Sequence, residues 1–318
     1  MGILEDFGSY IVFQILRMPE GDPFAEALNF FIYDSIKVLL LLAIMVFLVS
    51  IVRTFITPMK IRKILGDKKE GLGNVIAALL GIPTPFCSCS AVPLFIGFVE
   101  AGVPLGVTFS FLIASPMINE VAVALLLGLV GWEVTALYIG TGLIISITAG
   151  IAIGRMNLGG EVESFVYETK FKEGREKGMP WEERLSFARS QTADILKRVG
   201  PYVLLGIAVG GLIHGFVPVG FLADIAGKDN PLAVPISVLI GIPLYSNAAG
   251  TIPIVQALMS KGMALGTALA FMMSVTALSL PEMIILRKVL KPKLIAVFAG
   301  ILAISFVLTG LLFNAILG

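Results

Sequence analysis

Long apolar runs with few charges inside them occupy Phe30 to Thr57, Pro104 to Val130, Val134 to Arg155, Tyr202 to Val219, Ala264 to Leu286 and Leu294 to Leu317. A bilayer core needs about 20 helical residues, so these runs predict spanning helices, with Tyr202 to Val219 borrowing a few residues from upstream. The apolar positions do not alternate, and Gly and Pro interrupt them, which excludes a transmembrane barrel. Between the runs, Gly159 to Gly178 predicts a solvated linker, and Trp181 to Val199 a charged amphipathic helix on the membrane surface. The stretch to Glu26 predicts a second interfacial helix, with Phe7, Tyr10, Ile11, Phe13 and Ile15 as its apolar side.

Composition agrees. Hydrophobic residues make up 57% and charged residues 14% of the 318 residues, and the mean hydropathy is +0.96. These values belong to an integral membrane protein and leave no basis for nucleic-acid binding. Met1 to Asp6 carries Glu5 and Asp6 but no Lys or Arg, so the first spanning helix is expected to serve as the targeting signal.

An internal repeat organises the chain. Gly81-Ile-Pro-Thr-Pro-Phe-Cys-Ser-Cys-Ser-Ala-Val-Pro93 shares its frame with Gly241-Ile-Pro-Leu-Tyr-Ser-Asn-Ala-Ala-Gly-Thr-Ile-Pro253, 160 positions later. At the same offset Gly102, Leu105, Gly106 and Phe111 face Gly262, Leu265, Gly266 and Phe271. Each copy follows one apolar helix and precedes two more, a repeat arrangement common in transporters. Pro83 and Pro85 should break the helix that enters the first copy.

Lys and Arg gather in three loops: Arg53 to Lys69, Arg155 to Arg189, and Arg287 to Lys293. Positive loops face the cytoplasm. All three do so only if 74–101 and its counterpart 232–261 enter and leave as re-entrant hairpins; as broken crossings they would put the long middle loop outside. The expected fold is therefore an all-α polytopic protein of two inverted-topology repeats. Each holds about three spanning helices plus a broken or re-entrant helical hairpin, about eight membrane segments in all. The expected organisation is 1–28 interfacial, 29–155 first repeat, 156–191 cytoplasmic loop with its interfacial helix, and 192–318 second repeat.

Candidate chemistry collects at the helix breaks, where backbone groups without helical partners survive only against protein or a wet cavity. Cys87 and Cys89, the only cysteines, suit soft, thiophilic ligands. The second half has Asn247 and Ala249 instead, which excludes a symmetric four-thiol cage. Thr84, Ser88, Ser90, Tyr245, Ser246 and Asn247 add polar groups, and half-helix N-termini near Ser90 and Gly250 favour anions. In Ser115-Pro-Met-Ile-Asn-Glu120, Asn119 and Glu120 lie within a spanning run and join Cys87, Cys89, Thr84, Ser88, Ser90, Tyr245, Ser246 and Asn247 as candidate substrate-binding residues, and Glu282 lies at a similar depth in the second half. Intramembrane carboxylates mark substrate or proton paths, so Glu120 and Glu282 are the coupling candidates; Glu282, close to Arg287, also suits an ion pair. His214 is the only histidine, and no phosphate-binding Gly-x-x-x-x-Gly-Lys-Ser/Thr loop occurs.

Thr84-Pro-Phe-Cys-Ser-Cys-Ser-Ala-Val-Pro-Leu-Phe, Gly102-Val-Pro-Leu-Gly, Ser110-Phe-Leu-Ile-Ala-Ser-Pro-Met-Ile-Asn-Glu120 and Thr192-Ala-Asp-Ile-Leu-Lys-Arg-Val-Gly-Pro201 resemble the predicted permease family that includes bacterial organoarsenical efflux permeases. The resemblance implies eight membrane helices and a role for Cys87 and Cys89 in moving a trivalent organoarsenical. The expected protein is a multi-pass plasma-membrane permease, not an enzyme, that exports a small thiophilic solute. It needs no cofactor, its partners are the lipid bilayer and the solute, and its assembly is open between a monomer and a homodimer. The alternatives are a membrane-embedded thiol redox or sulfur-relay enzyme, and a pore-forming subunit of a larger complex.

Overall fold

The computed structural model describes residues 3–54, 71–82, 94–95, 97–99, 101–163, 180–216, 230, 232–244, 248–260, 262–287 and 289–317. Helix α1 (Ile3–Ser9) continues through a wider turn at Tyr10–Ile15, and α2 follows at Pro23–Arg53. The rest of the first half comprises α3 (Leu72–Gly81), α4 (Leu105–Met117) and α5 (Glu120–Arg155). The second half comprises α6 (Trp181–Phe216), α7 (Ala233–Gly241), α8 (Ala248–Ser260), α9 (Leu265–Ala277), α10 (Leu280–Leu286) and α11 (Pro292–Leu317). Among the described residues, four helical stretches are long and apolar enough to cross a membrane: Pro23–Leu48, Glu120–Arg155, Leu265–Ile284 and Pro292–Leu317.

Helix α5 has 36 residues, which would rise about 54 Å against a core of about 30 Å. Gly131 divides it, with a left-handed φ of 79° that only glycine adopts cheaply. The piece 132–155 is long enough to cross alone, while 120–130 is about half a crossing. At the matching place in the second half, Lys291 separates α10 from α11.

The 160-residue offset recurs as geometry. Helices α4 and α9 have the same bounds at that offset. Gly102 and Gly262, in the turns before them, both take positive φ, 78° and 97°. A Cβ on Gly81 would lie 3.1 Å from Ala114 Cβ, and one on Gly241 2.8 Å from Ser274 Cβ, with Phe111 O and Phe271 O each 3.3 Å away. Gly106 packs against Gly150 and Gly154, as Gly266 packs against Gly310 and Asn314. Small residues at four-residue spacing let these helix backbones approach closely, as they do within membranes.

Helix α6 runs unbroken through Gly200 and Pro201, so Trp181 to Val199 is the beginning of a long helix and not a separate surface helix. Its antiparallel packing on α2 supplies the reason. Arg184 Nη1 donates to Thr54 O (3.0 Å) and Thr54 Oγ1 (2.7 Å), Gly200 faces Leu39, and Gly211 faces Ala27 and Phe30. Contact along the whole length holds a helix that local propensity would interrupt.

The basic segments adjoin one another. Arg184 bonds the end of α2, while 158–163 docks on 287–293 through an isolated bridge of Val162 to Leu290 and two backbone bonds, Glu163 N to Val289 O and Lys291 N to Glu161 O. Arg287 pairs with Glu163 at 3.2 Å and Lys293 with Glu161 at 3.6 Å. Beneath them Val162 and Leu290 are buried.

Candidate functional site

Helix α3 lies alongside α4 and runs the same way. Asn74, near its start, donates from Nδ2 to Ser110 Oγ at 2.9 Å, and Gly81, at its end, packs on Ala114 and Ser115. The chain must then return to Ala101–Pro104, where α4 begins; on the way the rings of Phe95 and Phe98 pack edge-on against Phe109 and Phe111. In the second half α7 likewise runs beside α9, with Ser274 Oγ donating to Val238 O at 2.7 Å. Helix α8 returns through a tight turn, in which Met263 N bonds Leu258 O, and packs on α9. In the second half α7 and α8 thus lie against α9 in opposite directions, and in the first half α3 and Phe95 and Phe98 lie against α4.

An apolar run in each half contains a helix break. Helix α4 ends at Met117 and α5 starts at Glu120, so Pro104 to Val130 is two helices separated by Ile118 and Asn119. Asn119 closes the gap: its Oδ1 accepts from Ala122 N at 2.8 Å and its Nδ2 donates to Pro116 O at 3.0 Å. This is an N-cap, and it uses both ends of the amide that the sequence offered as a ligand. The second break falls at Leu278 and Ser279, where Leu280 N donates to Ile242 O, the last helical neighbour of the tip, at 2.6 Å.

Glu120 stands exposed in the first turn of α5 beside the first break. Glu282 is 1% exposed in the first turn of α10, just past the second. Arg287, near it in sequence, pairs with Glu163. Thr84, Cys87, Ser88, Ser90, Tyr245, Ser246 and Asn247 lie outside the described residues.

Tyr138 joins the two breaks. It is fully buried, its hydroxyl donates to Met117 O at 3.1 Å, and it also meets the Thr276 side chain near the end of α9. One ring contact reinforces the junction, Phe109 on Phe298 with centroids 5.3 Å apart. Sequence reasoning passed over Tyr138 as one more aromatic in an apolar helix. The available signal was its repeat counterpart, Phe298, which lacks the hydroxyl. Tyr138→Phe leaves the Met117 carbonyl unmatched in the core and should cost about 1–3 kcal/mol, read as a lower thermal midpoint in detergent. An unchanged midpoint would show that the hydroxyl contributes nothing to the junction.

Among known proteins, UPF0718 protein MJ0584 of Methanocaldococcus jannaschii is 23% identical over 302 residues, covering 77% of this chain and 83% of that protein. UPF0718 protein YraQ of Escherichia coli K12 is 25% identical over 300 residues, covering 93% of this chain and 83% of its own length. A Streptococcus mutans protein named as a putative two-component membrane permease complex subunit is 21% identical, covering 86% of this chain and 90% of that one. No solved structure matches the chain. The family described as "Predicted permease" matches residues 23–315, nearly the whole chain. The glycine packing repeated at the 160-residue offset, the broken apolar helices and this match lead to one conclusion: the chain belongs to the predicted permease family and is a multi-pass permease of the cell membrane.

Proposed function

We propose that this permease is a secondary transporter of two inverted-topology repeats, and that it exports a small thiophilic solute, such as a trivalent organoarsenical, through a midplane site containing Cys87 and Cys89. The observation that carries the reading is the interruption of an apolar helix at the same place in both halves, 118–119 and 278–279, with the two helix ends tied by Tyr138. Irregular backbone at membrane depth is tolerated where it lines a cavity, and transporters place substrate there. The antiparallel packing of α2 on α6, the first helices of the two halves, supports inversion, since repeats of the same orientation would run these helices parallel. Counting each hairpin once gives eight segments, with repeats at 29–155 and 192–318 joined by a cytoplasmic 156–191.

The two sulfurs supply softness to one half-site. Thr84, Ser88, Ser90, Tyr245, Ser246 and Asn247 supply polar contacts, and the start of α8 at Ala248 turns free backbone N–H groups toward a partly anionic ligand. Glu120 and Glu282 are the groups through which a proton gradient would couple.

Uptake into everted vesicles, screened over methylarsenous acid, antimonite, sulfur oxyanions and divalent metals, tests the reading. Uptake of the trivalent arsenical is expected, driven by the proton gradient and reduced to background in Cys87→Ser, Cys89→Ser protein present at the same level. Undiminished uptake in that variant removes the thiols from the site, and no arsenical uptake by the native protein removes the substrate class. A second reading, a pore-forming subunit of a larger complex, draws on the name of the Streptococcus mutans relative and predicts flux that persists when ion gradients are dissipated.

A further inference from the structure

We infer that the moving parts of this transporter are not its two repeats: α2 and α6 form one body, and α3, α7, α8, the broken helices and the last helices of both halves form a second, which moves past the first. The inference rests on the transporter reading and replaces the simplest form of it, in which one repeat rocks against the other.

Rocking of half against half would have to part every contact between halves at the site. Those contacts are buried. Tyr138 of the first half meets Thr276 of the second, Phe109 packs on Phe298, α5 packs on both α8 and α11, and α4 packs on α9. At the basic end, 158–163 is joined to 287–293 by backbone bonds over buried Val162 and Leu290. Packed interiors of this kind move as a unit and do not deform continuously.

Helices α2 and α6 also come from different halves, and they pack on each other from Thr54 and Arg184 at one end to Ala27 and Gly211 at the other. Among the described residues, the main packing of this pair on the second body is α6 against α10. That seam lies on the helix that carries buried Glu282.

Distance measurements between spin labels test this. Labels go on p-acetylphenylalanine placed at Leu40, Leu205, Ile144 and Leu308, all exposed side chains, so that both native cysteines are kept. The protein is studied in lipid vesicles at pH 5.5 and pH 8, with and without methylarsenous acid. The pairs 40–205 and 144–308, each joining the two halves, should give one unchanged narrow distance. The pairs 40–144 and 205–308, each within one half, should shift or split. Movement in the first two pairs with the last two fixed would establish rocking repeats and overturn the inference. Four unchanged distances would overturn it too. Absence of arsenical uptake in the vesicle screen, with the within-half pairs still moving, would remove the proposed substrate and leave the two-body division standing.

Discussion

Gly150→Leu should yield no folded protein, whereas Gly140→Ala, on the same helix, should fold as the native chain does. A Cβ at position 150 would collide with Ser110 Oγ and lie 2.5 Å from Gly106 O and 2.9 Å from Asn74 Nδ2. These neighbours have little room to yield, because Gly106 O is backbone and Ser110 Oγ is held by the Asn74 amide at 2.9 Å. Even Gly150→Ala should cost about 1–3 kcal/mol, and leucine adds atoms where α3, α4 and α5 meet. At Gly140 a Cβ meets nothing within 4 Å, so alanine gains up to about 1 kcal/mol of helix propensity. Size-exclusion profiles and thermal midpoints in detergent read both. A folded Gly150→Leu protein would mean that the three helices do not cross as closely as described.

Glu282→Gln should abolish solute accumulation driven by a pH gradient while leaving solute exchange across the membrane intact. A carboxylate 1% exposed on a membrane helix is expensive to keep charged, and glutamine has its shape without its proton chemistry. Proteoliposomes separate the two activities: accumulation is measured against an imposed gradient, and exchange by counterflow with none. Loss of exchange and of folded yield together would make Glu282 a structural partner of its surroundings instead. Glu120→Gln is the companion, since Glu120 is exposed beside the first break and its substitution should preserve the fold.

Much of this architecture was legible because glycine and proline are costly in helices and therefore informative. The repeated Gly-Ile-Pro frame located both hairpin ends, and the offset it defined carries over to the bounds of α4 and α9. Gly131 falls between the two apolar runs read as separate crossings. The breaks at 118–119 and 278–279 were not legible, because Pro116 is accommodated inside α4 and hydropathy continues across both gaps. Asn119 read as a ligand because a polar residue in an apolar run has two explanations, and only the bonds to Ala122 and Pro116 identify a cap. The charges of 181–199 suggested a helix on the membrane surface; its packing on α2 depends on residues more than 100 positions away, which no local pattern reports.

Leu39 lies 3.8 Å from a Cβ built on Gly200, one residue beyond its own counterpart at 199. Contact between a position and its own copy is what a two-fold axis produces, and two separate half-length chains inserted in opposite orientations would make it as well. Such a pair would have to carry the same residue at every equivalent position. Tyr138 with Phe298, and Cys87 with Asn247, depart from that identity at the junction and in the proposed site. Non-identical halves are free of that constraint: each can carry what the other lacks, and a single hydroxyl can hold a junction that identical subunits would have to build twice or not at all.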